Sequence, residues 1–173
     1  MTHPARTAPR IGIVGWKNSG KTTLAAALIS ELTNRGFIVA SVKSAHHAFQ
    51  IDNPSTDSAK HAAAGAAQTA ILGGQRWAIM NNRETDEPAP SLDDVLARMS
   101  PCDVVLVEGF KKNPHPKIEV CAQGTDQPTL ADHDTYIMAI ACDRGAKTNL
   151  PTFKRDDVAG LTDFICNIIG KPT

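Results

Sequence analysis

The apolar positions of this chain change their period several times, and each change marks an element. Ile11, Ile13 and Val14 form a short apolar run that predicts a buried strand over residues 10–15. After a glycine-rich turn, Leu24, Leu28 and Leu32 fall on one helical stripe with Ala25 and Ile29 beside it. That stripe predicts a helix over 22–35, with Gly36 as its stop. Residues 37–42 predict a second strand, so the chain opens as strand, turn, helix, strand. Residues 44–58 are polar and read as a loop leading into an alanine-rich helix over 59–67. Two short strands, 69–72 and 77–80, flank the Gly73-Gly74 turn, and the charged, proline-containing stretch 83–90 is a loop. Ser91 and Asp94 have capping-box spacing ahead of a helical face made of Leu92, Val95, Leu96 and Met99.

The most continuous apolar run is Val104-Val105-Leu106-Val107, between Asp103 and Glu108-Gly109. A strand apolar on both faces belongs in a parallel sheet covered on both sides. Residues 117–121 alternate weakly, 136–142 are apolar, and both predict strands. The last helix, 156–169, turns Val158, Leu161, Ile165, Ile168 and Ile169 inward and is stopped by Gly170 and Pro172. No repeat or linker interrupts this order. The expectation is one α/β domain over 10–173, a doubly wound, mostly parallel sheet with helices on both faces, preceded by a flexible tail over 1–9. The tail has no apolar run of the secretory type, and no stretch approaches the length of a membrane-spanning helix.

Composition narrows the partners. Lysine plus arginine number 18 and aspartate plus glutamate number 18, so no general field draws the chain to nucleic acid or an anionic membrane. Any affinity for anions is then local. Cys102, Cys121, Cys142 and Cys166 are widely spaced without a CxxC pair, which points to buried thiols in a reducing cytoplasm rather than zinc ligands.

The local anion site is explicit. Gly15-Trp16-Lys17-Asn18-Ser19-Gly20-Lys21-Thr22 matches GxxxxGK[ST] in full, after a strand and before a helix. Glycines let the backbone curl until its N–H groups face anionic oxygens, and the helix N-terminus adds positive potential. The expected nucleotide contacts are Gly15, Lys17, Asn18, Ser19, Gly20, Lys21, Thr22 and Thr23. Lys21 reaches the β and γ phosphates, Thr22 ligates Mg²⁺, and Thr23 stands toward the α phosphate. Lys17 lies one residue beyond the place where some P-loop ATPases carry a second lysine, so it receives no trans-acting role. Glu108, an acid directly after four apolar residues, is the expected magnesium-linked carboxylate and, with Lys21, the catalytic pair. Asp52 and Asp57 fall where a phosphate-sensing segment would lie; they complete the magnesium shell, or Asp57 caps the next helix. His46 and His47 are adjacent, which does not by itself make a shared metal site. Lys111, Lys112, His115 and Lys117 form a basic cluster that either receives a second anion or is simply solvated.

Several further segments accompany the phosphate loop, and three of them, Gly65-Ala66-Ala67-Gln68-Thr69, Gln75-Arg76-Trp77-Ala78 and Val107-Glu108-Gly109-Phe110-Lys111, are more selective than it. The others are His46-His47 and the stretch from Asp52 to Asp57-Ser58. With the loop and Thr23, they resemble the molybdopterin-guanine dinucleotide biosynthesis adaptor proteins, the MobB family. The resemblance spans nearly the whole chain. It implies a P-loop fold, a homodimer, GTP and Mg²⁺ as ligands, and weak GTPase activity. It also implies assistance to the guanylyltransferase MobA, which attaches GMP to molybdopterin, and a molybdopterin-bearing partner. Phosphate contacts at Gly15, Asn18, Gly20, Lys21, Thr22 and Thr23 follow, with magnesium-linked roles for Glu108 and for Asp52 or Asp57, and Arg76 near the site or the pterin-bearing partner. The chain departs from one pattern: it lacks the NKxD signature that grips guanine. Ala141-Cys142-Asp143 supplies only an aspartate, which makes Asp143 the candidate for the base. The stretch 113–128 also matches nothing closely.

Two other classes use the same loop. A small-molecule kinase using ATP closes an arginine-rich lid, but 83–90 holds a single arginine. A metallochaperone NTPase needs more histidine or cysteine at metal spacing than His46 and His47 provide.

Overall fold

The structure is a computed structural model that describes residues 8–45, 53, 55–82, 88–121, 128–144 and 148–171. It forms two compact units, Met1–Ser44 with Leu96–Thr173, and Ala45–Val95.

The larger unit is built on a six-stranded sheet in the order β2-β5-β1-β6-β7-β8, every pair parallel. Its strands are β1 (Arg10–Gly15), β2 (Val39–Lys43), β5 (Val104–Glu108), β6 (Lys117–Val120), β7 (Ile137–Ala141) and β8 (Thr152–Phe153). From β1 the chain moves to one side with β2 and β5, then to the other with β6, β7 and β8. This is the doubly wound order, and it opens a crevice at the carboxyl ends of the strands beside β1. Alternate residues face opposite ways. Ile11, Ile13, Val104, Leu106, Ile118, Val120, Ala139 and Ala141 pack with Leu24, Leu28 and Leu32 of α1 (Lys21–Asn34) and with Leu161, Ile165 and Cys166 of α4 (Val158–Ile168). Arg35 ties the two helices together, reaching Asp163 at 2.5 Å and Glu31 at 2.8 Å, and these bonds raise its pKa further.

The smaller unit holds α2 (Asp57–Ala63) and an antiparallel hairpin of β3 (Gln68–Leu72) and β4 (Trp77–Asn81). Period two puts Ala70 and Leu72 on one hairpin face, opposite Ile79 and Trp77. That face is uncovered: Leu72, Trp77 and Ile79 are 83%, 70% and 53% exposed. Arg76 sits in the turn, its carbonyl accepting from Gly73 N at 2.8 Å. The short helix α3 (Leu92–Leu96) follows, with the expected reciprocal bonds between Ser91 and Asp94. The helix expected over 59–67 starts earlier and stops at Ala63. Thr56, not Asp57, is its N-cap, accepting from Ala59 N at 3.3 Å, and Gly65 at φ 100° turns the chain toward β3. Among the described residues no helix is long and apolar enough to cross a membrane.

Candidate functional site

The register of the parallel sheet decides which side chains meet. Gly15 ends β1 and pairs with Val120, Ile13 pairs with Glu108, and Glu108 pairs with Lys43 on its other side. Gly15, Lys43 and Glu108 are therefore neighbours at one edge, although they are far apart in sequence.

The phosphate loop starts at Gly15, where φ is 153° and an added Cβ would lie 2.4 Å from the Val120 carbonyl oxygen and 2.6 Å from Ser19 Oγ. No other residue fits so close to β6. Asn18 at φ 61° and Gly20 at φ 92° curl the loop into α1. No side chain caps α1 and its first turn carries no acid, so its leading amides stay open to an anion. Ser19 is buried, and its Oγ has no hydrogen-bond partner among the described residues. Lys17, Asn18, Thr22 and Thr23 are exposed at the mouth.

Lys21 folds back on its own loop, donating to the Trp16 carbonyl at 2.6 Å. Burial lowers its pKa, Lys111 and Lys43 lower it further, and Glu108 opposes them. Lys111 gains its place from the turn Glu108-Gly109-Phe110, in which Gly109 and Phe110 both have positive φ, 92° and 53°. Its Nζ stands 4.6 Å from the centroid of the Trp16 ring, whose indole N–H donates to the Pro128 carbonyl at 2.9 Å. The Thr22 hydroxyl donates to Glu108 Oε1 at 2.7 Å. A magnesium ion takes oxygen ligands, commonly one or two carboxylates plus phosphate oxygens. Thr22 and Glu108 together fit that donor set. No group of three or more His, Cys, Asp or Glu among the described residues offers an all-protein alternative.

The strand ends on the other side of β1 carry Asp143 and Arg155. Asp143 Oδ1 accepts from Arg155 N at 3.0 Å, and Oδ2 accepts from Arg155 Nε at 2.8 Å and Nη2 at 2.5 Å. Arg155 Nη1 also reaches the Ser19 carbonyl at 3.4 Å. The candidate for base recognition thus lies at the same edge as the loop, but an internal arginine engages both its oxygens.

The structure describes only some of the remaining sequence-based candidates. Asp57 opens α2 in the smaller unit, exposed and paired with Lys60 at 2.9 Å. Asp52, His46 and His47 lie outside the described residues. The proposed basic cluster breaks up: His115 and Lys117 are buried at 3% and 1% exposure, leaving Lys111 and Lys112 on the surface. The reason is packing on β6. Lys117 pairs with Asp134 at 2.8 Å and lies 5.1 Å from the Tyr136 ring centroid, and Gly12 leaves it room beside β1. Glu119, equally buried, accepts from Leu130 N and Ala131 N at 2.8 and 3.0 Å at the start of a single 3-10 turn. Lys43 was missed; only its place at the end of an apolar stretch hinted at it.

A parallel, doubly wound sheet whose central strand runs through GxxxxGK[ST] into a helix defines a P-loop NTPase-type α/β fold. Comparison with known proteins narrows this. The sequence model described as "Molybdopterin guanine dinucleotide synthesis protein B" (MobB) matches residues 10–143, and the chain belongs to that family. It is 37% identical over 162 residues to a molybdopterin-guanine dinucleotide biosynthesis adapter protein of Haemophilus influenzae, covering 92% of this chain and 88% of the relative. The adapter protein of Escherichia coli is 36% identical over 160 residues, with 91% of each chain covered. A crystal structure of molybdopterin-guanine biosynthesis protein B superposes with a TM-score of 0.74 at 30% identity, covering 93% of this chain and 99% of that one.

Proposed function

We propose that the chain is a GTP-binding adapter with weak GTPase activity that assists the attachment of GMP to molybdopterin in the cytoplasm. The observation that carries the nucleotide part is the convergence of Lys21, Thr22 and Glu108 at the start of an uncapped helix. The open amides and Lys21 bind the phosphate oxygens, and Thr22 and Glu108 are the residues that would hold a magnesium ion. Magnesium, when bound, would supply neutralisation of the phosphate charge. Turnover is slow on this reading, because the protein contributes mainly Lys21 and backbone dipoles, and the guanidinium of Arg155 is committed to Asp143. Asp143 is the residue at this edge that would accept from guanine, beside Arg155 or in its place. The pathway part rests on family membership and on the relatives' names.

The partners are a second copy of the chain, the guanylyltransferase MobA and a molybdopterin-bearing protein. The exposed apolar face of the β3–β4 hairpin supports self-association, since a two-stranded sheet is marginal alone and apolar surface of this kind is usually covered. Calorimetric titration with GTP and with ATP, each with Mg²⁺, tests the reading. GTP should bind more tightly, and Lys21→Ala should abolish binding while the circular dichroism stays unchanged. Preference for ATP would move the chain to the small-molecule kinase class, and binding of neither would overturn the nucleotide assignment.

A further inference from the structure

The corner formed by Thr22 and Glu108 already has a cation beside it. Lys43 is the last residue of β2, paired with Glu108 by the sheet register. Its Nζ lies 3.3 Å from Thr22 Oγ1 and 3.4 Å from Glu108 Oε1, the same two oxygens that fit magnesium. The Lys43 side chain is 62% exposed, so its stem does not belong to the core and core packing does not fix its ammonium in place. We propose that Lys43 is a tethered cation that occupies the magnesium position until the metal arrives, and then moves out to the phosphate oxygens. The inference rests on the nucleotide reading above and adds a residue and a role to it.

The physical argument has two sides. Without metal, Glu108 is a negative charge at the mouth of a site meant for a triphosphate. A lysine against its Oε1 neutralises it and lowers the repulsion that the incoming phosphates meet. With metal, the ammonium and the ion compete. Magnesium binds its oxygens at about 2.0–2.1 Å, and an ammonium held within hydrogen-bonding reach of the same oxygen is both a like charge and an obstruction. Lys43 must therefore leave as magnesium enters. Lys21 and Lys111 are like charges, and Lys43 already acts on Lys21 as one, so a Lys43 displaced from Glu108 is drawn to the incoming triphosphate. One residue thus supports metal-free binding and opposes metal entry, a combination that a simple phosphate-binding lysine does not produce.

The test uses the full chain, GTP as the nucleotide probe, and two variants, Lys43→Met and Lys43→Arg. Binding of GTP is measured first in the presence of a chelator, then as a function of added Mg²⁺. Lys43→Met should weaken metal-free binding about three- to tenfold and lower the magnesium concentration at half-effect by a similar factor. Lys43→Arg, which keeps the charge, should restore most of both. Weaker binding without any shift in the magnesium midpoint would make Lys43 an ordinary phosphate ligand and overturn the inference. No change in either quantity would make it a solvated lysine, with the same result. If GTP binding by the unmodified chain is lost in Lys21→Ala while the magnesium midpoint of Lys43→Met is unmoved, this inference alone fails. If the unmodified chain binds no GTP at all, the nucleotide reading fails with it.

Discussion

Strands β7 and β4 both carry Ile, Met and Ala and have opposite fates. Ile137-Met138-Ala139-Ile140-Ala141 is buried at every position but Met138, whereas Trp77-Ala78-Ile79-Met80-Asn81 is exposed at every position but the partly covered Met80. β4 adds Trp77 and Asn81, but the larger difference lies in their neighbours. β7 lies between two parallel partners, and Ala139 and Ala141 pack into the core with α1 and α4. β4 has one antiparallel partner, and that pair leaves Leu72, Trp77 and Ile79 to solvent. An apolar strand in the large sheet is stabilised by parallel neighbours on both sides, whereas the hairpin leaves its apolar face exposed.

The largest test of this contrast is a pair of truncations. Leu28→Ala, at a fully buried position of α1, should cost about 3 kcal/mol in urea unfolding, whereas Leu72→Ala should stay within about 0.5 kcal/mol for the dilute chain. Equal costs would mean that the hairpin is packed after all. A somewhat smaller effect is expected at β6. Asp134→Asn leaves the buried Lys117 ammonium without its carboxylate and should destabilise the fold by about 2–3 kcal/mol, and Lys117→Met should recover part of that in the double variant. An Asp134→Asn chain as stable as the parent would show that Tyr136 alone satisfies the lysine. Third, Trp77→Glu puts a charge on the exposed face and should weaken self-association at least tenfold in sedimentation, with monomer stability and GTP binding retained. An unchanged association constant would remove the hairpin from the interface.

The smallest effect concerns Lys21, and its sign is informative. A folded-state pKa below the ordinary 10.5 means that the fold disfavours the charged form. That cost is fully present below the folded pKa and disappears as the pH rises past 10.5. Lys21→Met should therefore be neutral or slightly stabilising at pH 7, within about 0.5 kcal/mol, while removing GTP binding. The advantage should fade in alkaline solution. A clear loss of stability at neutral pH would assign Lys21 a structural part in the loop.

The phosphate loop was legible because its chemistry is contiguous: eight adjacent residues carry the turn, the cation and the hydroxyl, and strand and helix periods flank them. Glu108 was legible because an acid directly follows four apolar residues. The rest depends on register. Lys43 becomes part of the site through the pairing of β2 with β5, and Lys117 is buried because Asp134, 17 residues later, returns beside it. Neither pairing can be read locally; Lys117 and Glu119 look like solvent-facing charges on a weak strand, yet both are satisfied inside. β8, two residues long, and the 3-10 turn at Leu130–Asp132 are too short to set up any period. The helix expected over 59–67 ran too long because alanine propensity continues past the point where Gly65 reverses the chain.

The indole of Trp16 gives the chain an optical readout of its own. It is one of two tryptophans, set in the phosphate loop with Lys111 over its face and its N–H on the Pro128 carbonyl, while Trp77 is largely exposed in the other unit. A cation over an excited indole shifts its emission, and a triphosphate arriving in the loop competes for that cation. Emission from a Trp77→Phe chain should therefore change in colour or intensity as nucleotide is added. Occupancy could then be followed in unlabelled protein, without a radioactive or dye-bearing ligand.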